Sequence, residues 1–574
     1  MINQRNIIAL LFAFFTAACA TVVPPSGGEV DKTPPVAESF KPENFSRDFH
    51  KDKVVIKFDE FVVLDKLSQQ LVVSPQMPEK PDVKIQGKKV IIHLPDSLSE
   101  NTTYTIFFGN AIVNYKENIP VTNFQYVLST GDEVDSLMID GMVVNAFDHK
   151  PSDGAFVMLY QNYDDSIPYK ERPYYLTKVE SNGHFLLNNI HAGKYKLFVL
   201  KDMNSNYLFD QPIEEIAFVD SLVEPYIDPS LLSMEPEDSS ADFALNIPQP
   251  MHLFMFTESE KEQSILSSKL LSSKKFRISF AMPVNDLKLT PLNLKKDTVW
   301  HFDWLNSEKD TLITWLTGVH QDTLKLEVAD KGEVLDTLRL VLHKRKRSIQ
   351  KSRRQKKKEQ NQKPKPKKKP KLRFVSNARG GFPFYSDIHI KFQTPIIKWD
   401  PSKIKILHQR DSLIDTLNCK AYFTDPEYKM HLVIPTKFKE YEKYGLFFPD
   451  SVFYDIYGVS QDTVKQMFVT TEMREYGSLK LSVDFKGNTP LIIQLLDSKN
   501  RILLSQKLPK SGKIEYPYLK PGNYRIKAIA DVNNNGKWDT GDYLKKRQPE
   551  RTYFIEKLIN IRANWDVEQT WIIE

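Results

Sequence analysis

Two distant stretches of this chain repeat one another, and that repeat limits the fold more than any single segment does. Gly183 to Asp202 reads GHFLLNNIHAGKYKLFVLKD, and Gly512 to Asp531 reads GKIEYPYLKPGNYRIKAIAD. Gly193 and Tyr195 match Gly522 and Tyr524, and beyond them Asp202, Asn204, Asn206 and Asp210 fall at the offsets of Asp531, Asn533, Asn535 and Asp539. Upstream, Phe107, Phe108 and Thr130 have counterparts in Phe447, Phe448 and Thr470 at identical spacing. Self-similarity at a fixed offset marks duplicated structural units. The pattern predicts one sandwich, then a second, then both again after an insert.

The units are predicted to be β. Lys53 to Phe58 (KVVIKF), Lys89 to Leu94 (KVIIHL), Tyr104 to Phe108 and Phe124 to Leu128 are short β-branched or aromatic runs separated by turn formers. Long segments of 3.6-residue period are nearly absent. The fold class expected is all-β, a string of tandem sandwiches in an extended multidomain chain. At about 150 residues per domain, 574 residues fit roughly four such units. A hydrophobic fraction of 41% can supply their cores. With only Cys19 and Cys419, the chain has neither a disulfide framework nor a cysteine zinc site.

The net charge of +6 comes from one place. Lys344 to Lys371 holds 16 Lys or Arg and one acid, Glu359, a local +15, so the rest of the chain is −9. A nucleic-acid footprint spread over the protein is therefore excluded, and no nucleic acid is expected as partner. The segment has no apolar face to bury. It reads as a disordered, self-repelling spacer (linker 344–372), with an anionic envelope polymer as the alternative partner of 344–371.

Met1 to Cys19 reads as an export signal: Arg5 is the positive residue, Ile7 to Phe15 (IIALLFAFF) the apolar core, and Thr16, Ala17 and Ala18 the small residues before Cys19. Nine apolar residues are too few to span a bilayer. Small residues directly before a cysteine resemble the lipobox of bacterial lipoproteins, although Thr16 stands where that motif usually has Leu. The resemblance implies lipidation of Cys19 and a membrane anchor, each buried methylene contributing about 0.8 kcal/mol; an ordinary secretory signal is the alternative. Residues 20–33 form a Pro- and Gly-bearing tether. The acidic cluster that follows the cysteine in surface-exported lipoproteins of the Bacteroidetes group is missing. The expected location is therefore the outer membrane, on its periplasmic face rather than the cell surface.

Thr33 to Thr130, opening TPPVAESFKPENFS and closing FQYVLST, resembles an SbsA-type bacterial Ig-like domain. GMVVNAFDHKPSDGAFVMLY followed by NGHFLLNNIHAGKYKL resembles a transthyretin-like, carboxypeptidase-regulatory-type sandwich. The terminal RQPERTYFIEKLINIRANWDVEQTW is similar to the closing strands of Bacteroidetes Ig-like-domain lipoproteins. These resemblances divide the chain into an Ig-like domain at 34–131, a transthyretin-like sandwich at 136–247, a sandwich of uncertain type at 249–343, a second Ig-like domain at 373–472 and a second transthyretin-like sandwich at 475–574. In 249–343, Asp-Thr pairs at 297, 310, 322 and 336 should start strands. Trp300, Trp304 and Trp315 read as packing residues, with a glycan platform as the alternative.

No enzyme constellation appears. The closest histidines, His184 and His191, lie seven apart, and there is no HExxH, GxSxG, GxGxxG or P-loop. Cys419, in LIDTLNCKAYF, reads as a buried inert thiol. The resemblances imply a non-enzymatic envelope scaffold or interaction module that works with other envelope proteins. The alternative is a carbohydrate-binding or adhesion lipoprotein serving a separate enzyme.

The sharpest chemical pattern is DVNNNGKWDTGD. It sets Asp531, Asn533, Asn535, Asp539 and Asp542 at loop positions 1, 3, 5, 9 and 12, with Gly536 at position 6 and Lys537 offering its carbonyl at position 7. Calcium takes six to eight hard oxygens from such a loop. The loop resembles those of dockerins and of extracellular B-type repeats, which implies a structural calcium ion of modest affinity. A metal-free Asx turn is the alternative. The counterpart has Tyr207 at the glycine position and Ile213 at position 12, and reads as a plain turn.

Lipidation is directly testable. Cys19→Ala should release the protein from the membrane fraction or leave its leader uncleaved; a membrane-bound, normally processed variant refutes the anchor.

Overall fold

The computed structural model describes residues 32–228, 250–259, 262–294, 299–342, 370–410 and 413–574. The leader, Cys19, nearly all of the tether and residues 344–369 of the basic linker lie outside them. The chain is an all-β protein of tandem sandwiches, about 50% strand and 3% helix. By contacts it divides into two units, 1–258 with 541–549 and 259–540 with 550–574. Among the described residues no helix is long and apolar enough to cross a membrane.

In the first sandwich the strands Ala37–Lys41, Lys53–Phe58, Lys89–His93 and Asp82–Gln86 make one antiparallel sheet. Val72–Ser74, Thr103–Gly109 and Phe124–Ser129 make the second. Alternation decides which face is inward: in KVVIKF, Val54, Ile56 and Phe58 are buried and both lysines are exposed. With Ile92, Tyr104 and Phe108 they form one apolar core.

The fourth sandwich has the same strand order. Phe374–Ser376, Ile388–Phe392, His431–Ile434 and Tyr422–Phe423 form one sheet, and Lys405–Arg410, Lys443–Phe448 and Val464–Thr470 lie in the other. The duplication extends to single hydrogen bonds. Ser99 N–H donates to the Tyr104 hydroxyl at 2.9 Å and Lys439 N–H to that of Tyr444 at 3.1 Å, both five residues back. Thr130 Oγ1 accepts Thr102 N–H at 3.0 Å, as Thr470 Oγ1 accepts Glu442 N–H at 2.9 Å. Each buried tyrosine thus pins the turn that enters its strand.

The second and fifth sandwiches also share a plan. Leu137–Asn145 pairs antiparallel with His184–Ile190 and parallel with Met251–Thr257. Gly477–Phe485 pairs in the same way with Gly512–Leu519 and Asp566–Ile573. This corrects the boundary expected after 247. Met251–Thr257 buries Leu253 and Met255 in the second core, because it fills the place between Leu137–Asn145, which it pairs in parallel, and Glu215–Phe218, which it pairs antiparallel. In both copies the Gly-x-Tyr motif turns the chain: Tyr195 donates its hydroxyl to the His191 carbonyl at 2.9 Å, and Tyr524 to that of Lys520 at 2.7 Å.

The third sandwich opens with Ile265–Ser272 and has its own core, including Phe276, Ile278, Leu312 and Leu326. Thr311 and Thr323 begin strands, as their Asp-Thr pairs predict. Thr337 instead lies inside Glu333–Val341, near an irregularity in its pairing with Thr323–Asp330. Asp297-Thr298 lies outside the described residues. Within the first unit, Tyr543 packs against Tyr169, Phe198 and Phe218 at centroid distances of 6.1, 5.0 and 5.1 Å.

Because the tyrosine hydroxyl takes a backbone N–H beside the core, Tyr104→Phe and Tyr444→Phe should each lower stability by about 1 kcal/mol. Chemical denaturation checks this, and no change in midpoint for either variant would show the bond to be incidental.

Candidate cation loops

Asp531 follows directly on the strand Gly522–Ala530 and is fully buried. Its Oδ2 accepts Gly536 N–H at 3.0 Å and lies 3.1 Å from Lys507 Nζ. Its Oδ1 is buried with no hydrogen-bond partner among the described residues. Gly536 sits at φ +81°, with nothing within 4 Å of where a Cβ would stand. The turn therefore asks for glycine on backbone grounds and not for lack of space.

The loop then folds over itself. Asn533 and Asn535 donate their amides to Asp539 Oδ2 at 2.6 and 2.7 Å, while their own Oδ1 atoms accept Asn535 N–H and Lys537 N–H. Lys537 pairs its ammonium with Glu308, leaving the backbone carbonyl as its contribution to the loop. Four of the residues expected to form the site, Asp531, Asn533, Asn535 and Asp539, thus share one hydrogen-bonded loop.

Asp542, expected at position 12, has Lys545 beside its carboxylate. Its Oδ1 accepts Lys545 N–H at 3.2 Å, its Oδ2 pairs with Lys545 Nζ at 3.1 Å, and its backbone bridges to Arg547. The loop is instead closed by Glu550, which the sequence reading missed. Glu550 is buried; its Oε1 accepts Val532 N–H at 2.7 Å and its Oε2 accepts Asp539 N–H at 3.0 Å. Burial pushes the Glu550 carboxyl above the usual range, and the charges of Asp539 and Asp531 add to this against the two N–H donors.

The counterpart loop is built in the same way. Asn204 and Asn206 donate to the Asp210 carboxylate at 3.0 and 2.6 Å. Glu214, fully buried, accepts Met203 N–H on Oε1 and Asp210 and Gln211 N–H on Oε2, each at 3.1 Å. Tyr207 adopts φ +61°, the left-handed backbone of Gly536, and its N–H donates to Asp202 Oδ2 at 2.8 Å. The ring of Tyr207 meets Phe156 edge-on at 5.2 Å, a contact that offsets the cost of that backbone for a residue with a Cβ. One difference separates the copies: Asp202 has partners on both oxygens, Oδ1 taking Asn204 and Ser205 N–H. A sequence signal for the missed glutamates exists. Gln211-Pro212 and Gln548-Pro549 precede Glu214 and Glu550, but the second loop is seven residues longer, which moves Glu550 far from position 12.

The remaining expectations divide. Trp300 and Trp315 are buried and Trp304 is half-buried in the third sandwich, which is packing and not a platform. Cys419 is half-buried, and burial raises its thiol pKa. Histidines remote in sequence do meet: His389 Nδ1 and His431 Nε2 lie 3.1 Å apart. Among the described residues no three His, Cys, Asp or Glu side chains group as a metal site. In the first unit, a groove of about 650 Å³ is lined by Gln70, Phe107, Gln125, Lys178 and Asn188.

Residues 31–130 match the family profile of the bacterial Ig-like domain. No curated protein matches the chain. Among solved structures, the chain is similar to the Bacillus anthracis TIE protein at 9% identity, covering 100% of this chain and 79% of that one, with a TM-score of 0.13. The major pilin subunit of Bacillus cereus shares 10% identity over 76% and 99% of the two chains, TM-score 0.13. Alpha-2-macroglobulin from Escherichia coli, domains MG0-NIE-MG1, shares 11% over 53% and 97%, TM-score 0.17. Alignments at such scores carry no argument; the fold rests on the strands themselves and on the matched domain.

Glu214 carries three backbone N–H bonds in a fully buried position. Glu214→Gln should therefore cost about 2 kcal/mol, since an amide nitrogen cannot accept two of them. Thermal unfolding and faster hydrogen exchange at Asp210 and Gln211 report it; unchanged exchange would show the carboxylate to be dispensable.

Proposed function

We propose that this chain is a non-enzymatic, lipid-anchored scaffold or protein-interaction module at the outer membrane, on its periplasmic face. The observation that carries the reading is a surface one. Ile502–Leu508 is the edge strand of its sheet, and Ile502, Leu503 and Leu504 are 52%, 47% and 44% exposed. An open edge with apolar side chains can take up a strand from a partner. The matched Ig-like domain and the repeated sandwiches support a structural role for the rest of the chain. The basic segment 344–371 serves in this reading as a spacer that can also touch an anionic envelope polymer.

A second reading, carbohydrate binding in support of a separate enzyme, is favoured by the groove of the first unit. Amides such as Gln70, Gln125 and Asn188 beside Phe107 offer paired donors and acceptors with one apolar ring.

Cross-linking in intact cells, followed by purification of the protein from membranes, tests the first reading. Specific envelope proteins should be captured, and the doubly substituted Ile502→Lys, Leu504→Lys chain should lose them while keeping its thermal midpoint. Capture that is unchanged in this variant would remove the edge strand from the proposal.

A further inference from the structure

We infer that the Asp531 loop holds one calcium-class divalent cation, with Asp531 Oδ1, Asp539 and the Asn533, Asn535 and Lys537 oxygens as ligands and Glu550 as the residue that positions them. This is a ligand set different from the one spacing suggests, because Glu550 closes the loop and the Asp542 carboxylate is held by Lys545.

The argument starts from Asp531 Oδ1. It belongs to a fully buried carboxylate and has no hydrogen-bond partner among the described residues, and an unsatisfied buried charge-bearing oxygen is costly. Its companion Oδ2 is supplied by Gly536 N–H and Lys507 Nζ, so only Oδ1 calls for a further positive group. The copy at Asp202 is an internal control. It has the same amides on Asp210 and the same glutamate closure, yet both Asp202 oxygens already accept N–H groups. The need for a cation is thus confined to one loop of the pair.

The remaining donors suit calcium. The set contains two carboxylates, with amide and backbone oxygens for the rest, since Glu550 spends its oxygens on Val532 N–H and Asp539 N–H. Calcium accepts neutral oxygens readily, whereas magnesium keeps its waters and near-ideal octahedral geometry. Asn533 and Asn535 present Nδ2 to Asp539 Oδ2. Turning each amide over brings its oxygen to that side, at the expense of the bonds that Asn533 and Asn535 Oδ1 accept from Asn535 N–H and Lys537 N–H, which the cation's own bonds to those oxygens must offset. Glu550 grips Val532 N–H and Asp539 N–H, which fixes the first and ninth loop positions against each other. Two carboxylates, with an ammonium close to one of them, put the affinity in the range of extracellular modules, on the order of 10⁻⁴ to 10⁻³ M.

Residues 541–549 group with the first unit, so the full chain is the correct material. Calcium chloride is titrated into chelator-treated protein by calorimetry, with the thermal midpoint followed in parallel. A saturable site with a rising midpoint is expected. Asp539→Asn, in a half-buried position that tolerates an amide, should weaken binding at least tenfold. Lys507→Met should tighten it several-fold by removing the competing ammonium, an effect that a damaged fold would not produce. Asp202→Asn should leave binding unchanged. Absence of saturable heat at several millimolar calcium, or equal binding by wild type and Asp539→Asn, overturns the site. Loss of binding in Asp202→Asn alone would overturn its location.

Discussion

Everything in this chain depends on one constraint: a sheet that is apolar on one face must be covered by another. Each sandwich satisfies it within about a hundred residues by giving alternate side chains of both sheets to a single core. Full burial of a residue such as Phe108 or Phe448 contributes about 1.5–3 kcal/mol. A sandwich so closed needs no neighbour to complete its core. That is why the plan could be duplicated in tandem without losing its register, down to the hydroxyls of Tyr104 and Tyr444.

The connections follow from the same constraint. Strands paired on both sides leave their polar backbone unpaired only at the ends, so the loops must satisfy it there. In the Asp202 and Asp531 loops a buried glutamate does so, its two oxygens holding N–H groups at the two ends of the turn. The arrangement survives a seven-residue difference in loop length because Glu550 is placed by the strand that follows it, Thr552–Phe554, and not by its distance from Asp531. The glycine position tells the same story. Tyr207 and Gly536 share a left-handed backbone, since the Asp carboxylate asks only for the N–H at that point.

Much of the fold was legible because its signals are local. KVVIKF buries alternate residues as written, and Gly193-x-Tyr195 and Gly522-x-Tyr524 mark the same corner twice. The end of the second sandwich was not legible. Met251–Thr257 looks like any other strand, and only its parallel pairing with Leu137–Asn145 assigns it to the earlier core. The glycan reading of Trp300 and Trp315 fails for a related reason: an aromatic residue in a strand or at its start can face either side, and here the side is inward.

Residue period and spacing were enough to specify an all-β, internally duplicated chain, and which oxygens of the two loops stand at positions 1, 3, 5 and 9. Both properties are carried by residues close enough along the backbone to act through period or spacing. Which carboxylate closes each loop, and which buried oxygen among the described residues lacks a partner, followed from how distant segments pack. Burial and hydrogen-bond supply at Asp202, Asp531, Glu214 and Glu550 depend on segments that meet in space, and the energy of a buried charge is set by those neighbours and not by its place in the chain.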